Sequence, residues 1–156
     1  DDETFEQRAF RALRYQGRIQ ESEDYLQTLI DADPEHLFAN GYLGHFLAQK
    51  GKYEQAAKLL AVAIQQRPDA YDMRVLLANA LFHCEGTLPA LNCLAEGLQL
   101  EPNNPHLHFS AANIFMQEGQ LDRARQELEL VLNVMADFPD AAELSESIER
   151  LSLEKN

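Results

Sequence analysis

The five histidines of this sequence are the residues that most suggest a metal site. His36 falls at a predicted turn and His108 on the packing face of a predicted helix. His45, His83 and His106 fall at the middle, the far end and the near end of three successive predicted helices. Positions eleven residues apart along such helices differ by about 16 Å in height, whereas zinc is held by bonds of about 2 Å. We therefore expect no metal site and no cofactor.

Catalytic motifs are missing from the chain. It contains no GxSxG, no Walker-type phosphate loop, no GxGxxG, no HExxH and no paired CxxC. Cys84 and Cys93 fall on opposite members of a predicted helix pair at different heights, so we expect two small buried apolar side chains and no disulfide. The sequence predicts a protein that is not an enzyme.

The elements that position these residues repeat with a period of 34. Gly17, Gly51 and Gly119 share one column, with Glu85 in the slot between the last two. Three further columns share this period. The proline column is Pro34, Pro68 and Pro102, and the small-residue column is Ala56, Ala90 and Ala124. The leucine column is Leu26, Leu60, Leu94 and Leu128. Glycine ends one helix, proline stops the next, and the small and leucine columns let two antiparallel helices pack closely. The unit is therefore helix, turn, helix.

These columns resemble the tetratricopeptide repeat (TPR) family over almost the whole chain. The second repeat carries the pattern most clearly, with Leu43, Gly44, Gly51, Tyr53, Ala56, Leu60, Ala63 and Pro68. The resemblance implies an all-α, right-handed α-solenoid of antiparallel helix pairs in a single domain spanning residues 1–156. Its repeats would cover about 3–36, 37–70, 71–104 and 105–138, followed by a solubilising capping helix over about 139–154.

Three departures from the pattern predict local differences. Phe10 stands where the other repeats have glycine or alanine, so the first repeat should pack differently. The late Gly86 predicts a helix that starts about two residues late and is capped by Thr87 or Leu88. The missing proline at Ala136 predicts a longer helix over roughly 121–136.

In a TPR array the first helix of each repeat lines a concave face, so the resemblance also implies a row of groove residues. Those we expect to bind a partner are Arg11, Arg14, His45, Val75, Asn79, Phe82, Phe109, Asn113 and Met116. Asparagine amides suit the backbone of a peptide, and the apolar members suit its side chains. Two alternatives stay open: the apolar members pack against neighbouring helices or the cap, and the arginines, with Arg8 and Arg18, form a solvated basic face.

The net charge of −13 makes nucleic acid and anionic membranes poor partners. No apolar run reaches the roughly 18 residues that span a bilayer, so we expect no direct membrane insertion. The sequence leaves homo-oligomerisation open. It does not fix the compartment, which would be cytoplasmic, or periplasmic if an anchor or signal has been removed.

The sequence predicts a protein-interaction module, of bacterial type, that binds a peptide segment or helix of another protein as a scaffold or adaptor. Two alternatives come from weaker resemblances. One is a chaperone of secreted substrates, similar to class II type III secretion chaperones. The other is an accessory TPR domain of an exported assembly system such as cytochrome c maturation.

Overall fold

The computed structural model describes residues 4–154, apart from the side chains of residues 5, 6, 8, 9 and 12. Within this part of the chain it has nine α-helices and no β-strand. In order they are α1 (Phe5–Tyr15), α2 (Ile19–Ala32), α3 (Leu37–Gln49), α4 (Tyr53–Gln66), α5 (Tyr71–Cys84), α6 (Thr87–Leu100), α7 (Pro105–Gln117), α8 (Leu121–Val134) and α9 (Ala141–Glu154).

The chain divides into two compact units, Asp1–Arg67 and Pro68–Asn156. In the first unit α3 packs against both α2 and α4, and in the second α5 pairs with α6, α7 with α8, and α9 packs on α8 and α7. The first unit has an aromatic core in which Phe10 contacts Phe38, Tyr42 and Phe46. A phenylalanine at this place therefore fills space beside α3 that a glycine or alanine would leave empty, as the departure at Phe10 predicted.

The predicted packing columns are confirmed by burial. All four leucines of the leucine column are at most 4% exposed, and the three alanines of the small column are fully buried. Burying a leucine side chain contributes roughly 1.5–3 kcal/mol, so this column contributes much of the stability of each helix pair.

The turns inside the helix pairs depend on glycine. Gly51 has φ of 74°, the left-handed conformation that glycine adopts without strain. The turn lets the backbone N–H of Lys52 donate to Leu47 O at 2.8 Å, which satisfies a carbonyl at the end of α3.

The predicted late start of α6 is wrong. The helix begins at Thr87, 34 residues after α4 begins and 34 before α8 begins. Gly86 is the N-cap residue, with φ of 97°, and no side chain caps the helix. Gly86, the residue with positive φ, lies one position later in this repeat than Gly51 and Gly119 do in theirs. The reason is that α5 continues to Cys84, so the connection between α5 and α6 is one residue shorter.

The predicted extension of α8 to residue 136 is also wrong, because α8 ends at Val134. Met135 turns into extended backbone (φ −141°, ψ 95°), almost the geometry of Asp33 after α2. The helix ends without the proline because the chain turns to bury Phe138, which contacts His106 and Phe109.

A third expectation fails at Cys84. Cys93 is buried as expected, but Cys84 is exposed at the end of α5. Position 84 is the last residue of α5, and its side chain is exposed there.

Candidate partner-binding site

One face of the second unit gathers six of the nine predicted site residues. Val75, Asn79 and Phe82 lie on one face of α5, because residues spaced i, i+4 and i+7 share a face of a helix. The equivalent places of α7 hold Phe109, Asn113 and Met116, and α5 and α7 pack against each other. We call this set of six residues the α5–α7 face.

The apolar members of this face are neither buried nor fully exposed. Val75, Phe82, Phe109 and Met116 are all half-buried. Side chains of this kind are held in place by their neighbours while keeping apolar surface in water. Aromatic residues and methionine are the types enriched in protein interfaces.

The two amides of the face differ in their freedom. Asn113 is half-buried, and its Nδ2 donates to Phe109 O at 3.1 Å, which fixes the direction of the side chain. Asn79 is exposed, so its amide can donate to and accept from a bound backbone. None of the six residues is a nucleophile or a general base, so this face offers hydrogen bonding and apolar contact.

Phe109 also packs inside the unit. Its ring lies 4.9 Å from that of Phe138, a residue of the connection that joins α8 to α9. His106 links this contact to α5, since it lies 5.0 Å from Phe138 and stacks on Tyr71 at 4.9 Å. Contacting rings therefore run along one edge of the α5–α7 face, in the order Tyr71, His106, Phe138 and Phe109. Phe109 belongs both to this row and to the face.

The other three predicted site residues belong to the first unit. Arg11 and Arg14 are exposed on α1, and His45 is half-buried on α3. The Arg14 guanidinium lies 4.5 Å from the centroid of the Phe46 ring, a cation–π contact. Arg8, in the same basic run, has a side chain outside the described part of the structure.

Sequence reasoning missed a column of buried polar residues. Asn40, Arg74 and His108 stand 34 residues apart, and all are at most 8% exposed. Asn40 donates to Pro34 O at 3.0 Å, Arg74 to Pro68 O at 3.0 Å, and His108 Nε2 lies 2.9 Å from Pro102 O. Each side chain thus binds the proline carbonyl six residues before it, which fixes the turn between successive repeats.

Arg74 and His108 also reach the neighbouring helix. Arg74 Nη1 donates to Cys93 O and to Glu96 on α6, both at 3.1 Å, and His108 Nδ1 lies 2.7 Å from Glu127 Oε2 on α8. The signal in the sequence was polarity at a fixed place in the repeat. Because the three residue types differ, this column does not appear as a repeat of identical residues.

Neither a metal cluster nor a membrane span is present in the described residues. They contain no group of three or more histidine, cysteine or acidic side chains that could hold a metal ion. None of the described helices is long and apolar enough to cross a membrane.

Models of the tetratricopeptide repeat match residues 8–71 and 44–83, and a second such model matches residues 90–148. The chain belongs to the tetratricopeptide repeat family. The family's repeats act as non-catalytic protein-interaction modules, so this chain is a TPR scaffold for protein binding.

Among curated proteins, the chain is 28% identical over 123 residues to cellulose synthase operon protein C of Pseudomonas fluorescens (strain SBW25). The matched region covers 79% of this chain and 10% of that protein, so the chain spans about a tenth of the relative's length.

Solved TPR structures share the fold. A crystal structure of MamA has a TM-score of 0.73 at 13% identity and covers 99% of this chain and 98% of that one. A repeat protein from Parabacteroides merdae ATCC 43184 has a TM-score of 0.76 at 16% identity, covering 94% of this chain and 59% of that one. At these identities the likeness concerns the fold alone, and it confirms the predicted all-α solenoid class.

Proposed function

We propose that this chain holds an extended or helical segment of another protein along the α5–α7 face. The observation that carries the proposal is the alignment of two equivalent triads on adjacent helices, each with an amide between two apolar side chains. A protein segment has the matching alternation, with backbone amides for Asn79 and Asn113 and apolar side chains for Phe82 and Met116.

The first unit provides a separate candidate contact. The guanidinium of Arg14 stacks on Phe46 and is exposed, so it can meet a carboxylate while the ring holds it in place. Arg11 lies one helical turn earlier on α1. We infer that an acidic side chain or a terminal carboxylate docks at these two arginines.

The two alternatives from the sequence, a secretion chaperone and a cytochrome c maturation accessory, stay predictions, as does homo-oligomerisation.

Affinity capture from native lysate tests the proposal. The bait is wild type, Asn79→Ala/Asn113→Ala, or the matched control Asn92→Ala/Asn103→Ala, which removes two exposed amides outside the face. If each lost hydrogen bond costs about 1 kcal/mol, Asn79→Ala/Asn113→Ala should weaken binding of the captured partner roughly thirtyfold. The control variant should bind the partner as tightly as wild type does. Equal binding by all three proteins at equal melting temperature would refute the proposal.

A further inference from the structure

A second surface of the second unit lies between its last two helices and shares no lining residue with the α5–α7 face. A cleft of about 250 Å³ opens there, lined by Arg125, Leu128, Glu129, Leu132 and Asn133 of α8 and by Ser145, Ile148 and Glu149 of α9. We call it the α8–α9 cleft. Its volume is below the roughly 300–1,000 Å³ of pockets that enclose small molecules, so it suits an anchoring side chain of a larger partner.

The floor of the cleft is apolar. Leu128 and Ile148 are 4% and 1% exposed, whereas Leu132 is 38% exposed and has surface left to cover. On α9, Leu153 is 78% exposed and lies one helical turn after Glu149. A ridge of apolar side chains on a partner helix would fit the groove between two packed helices.

The rim of the cleft is acidic on both sides. Glu129 on α8 and Glu149 on α9 are exposed, and neither forms an ion pair within the described residues. The one cation of the rim, Arg125, is bound to Asp122 at 2.9 Å and to Ser152 Oγ. The charges left to a partner are therefore negative.

We propose that the α8–α9 cleft binds an amphipathic helix of another protein, with an apolar stripe flanked by lysine or arginine. The stripe covers Leu132 and the floor, and the cations meet Glu129 and Glu149. A second copy of this chain is disfavoured, because a symmetric contact through the cleft would bring its own acidic rims together.

The test uses a fluorescein-labelled synthetic helical peptide of about 14 residues, the length of α8 and α9 and roughly 21 Å as a helix. It carries leucines at i, i+4 and i+7 with lysines on both sides of them. One control peptide has serine for leucine, and another has glutamate for lysine. Fluorescence anisotropy gives Kd, and amide chemical-shift changes in NMR spectra locate the bound peptide.

Wild type should bind the leucine–lysine peptide with Kd below about 1 mM and neither control peptide measurably. Glu129→Lys/Glu149→Lys should weaken binding roughly tenfold. The matched reversal Glu85→Lys/Glu118→Lys, at two exposed carboxylates outside the cleft, should change it less than about threefold. Leu132→Ser should weaken binding by about fivefold, and the shifted amides should lie in α8 and α9.

Three results would overturn the proposal. The first is no binding at about 1 mM peptide. The second is an equal loss with both charge reversals, which reports long-range attraction to an acidic protein. The third is a shift pattern in α5 and α7, which assigns the peptide to the α5–α7 face.

Discussion

Gly97 on α6 allows Arg74 to stay buried, and its replacement by alanine should be destabilising. A Cβ at residue 97 would lie 2.4 Å from Arg74 Cδ and 2.8 Å from Leu107 Cδ1. Arg74 cannot easily move, because its guanidinium is bound to Pro68 O, Cys93 O and Glu96. The first unit solves the same problem with a smaller side chain, since Asn40 and Ala63 occupy the equivalent places.

Two opposing effects set the magnitude. Glycine to alanine inside a helix is worth about 1 kcal/mol in favour of alanine. Overpacking costs about 1–3 kcal/mol, and displacing Arg74 loses a further 1–3 kcal/mol or so of buried hydrogen bonding. The packing terms win, so Gly97→Ala should destabilise the unit by roughly 1–5 kcal/mol and lower Tm by about 2–20 °C.

Thermal unfolding followed by circular dichroism measures this in a double-mutant cycle. Arg74→Asn should remove the clash with Cδ and leave room for the Leu107 methyl group. Gly97→Ala should then raise Tm in the Arg74→Asn background, although it lowers Tm in wild type. A Gly97→Ala protein that melts above wild type would refute the packing argument.

Three further predictions follow from buried groups. Phe138→Ala should cost about 3–5 kcal/mol by removing the buried ring that packs on His106 and Phe109 of α7, whereas Leu153→Ala, at an exposed site, should leave Tm unchanged. Equal Tm values for the two variants would contradict the packing of Phe138. Asn40→Ala should lower the free energy of unfolding by about 1–3 kcal/mol, because Pro34 O loses its side-chain donor. Urea unfolding measures this, and unchanged stability would contradict the role given to the polar column. Burial raises the pKa of the Cys93 thiol to about 11 from 9.0, so the unfolded chain loses this proton first and the stability of the fold falls as pH rises from 9.0 to about 11. Over this pH range the Tm of wild type should fall more than that of Cys93→Ala. Parallel curves of Tm against pH for the two proteins would contradict this linkage.

The repeat frame could be read from the sequence because each column has one physical role. The leucine, small-residue and glycine columns predicted helix pairs, and the helices α3, α5 and α7 begin 34 residues apart. The errors at α6 and α8 both lie at helix boundaries, which depend on the connecting residues and not on the repeat columns. Gly86 takes the left-handed turn of its connection, and Phe138 ends α8 without a proline.

The candidate site could be predicted as a set of positions but not as a surface. Helical spacing placed Asn79 and Phe82 on one face of α5. It did not reveal the contact of Phe109 with Phe138, because residue 138 lies in the connection before α9. Nor did it reveal the α8–α9 cleft, which depends on how closely two helices approach. The polar column was missed because Asn40, Arg74 and His108 share a hydrogen bond and not a residue type.

Site-specific photo-crosslinking tests the central claim most directly. A benzophenone side chain replaces Phe82 on the α5–α7 face or, as a control, Asn92 at an exposed position of α6, and each protein is irradiated with its captured partner. Our account predicts a crosslinked product from residue 82 and none from residue 92. A product from residue 92 alone, or equal products from both, would contradict it.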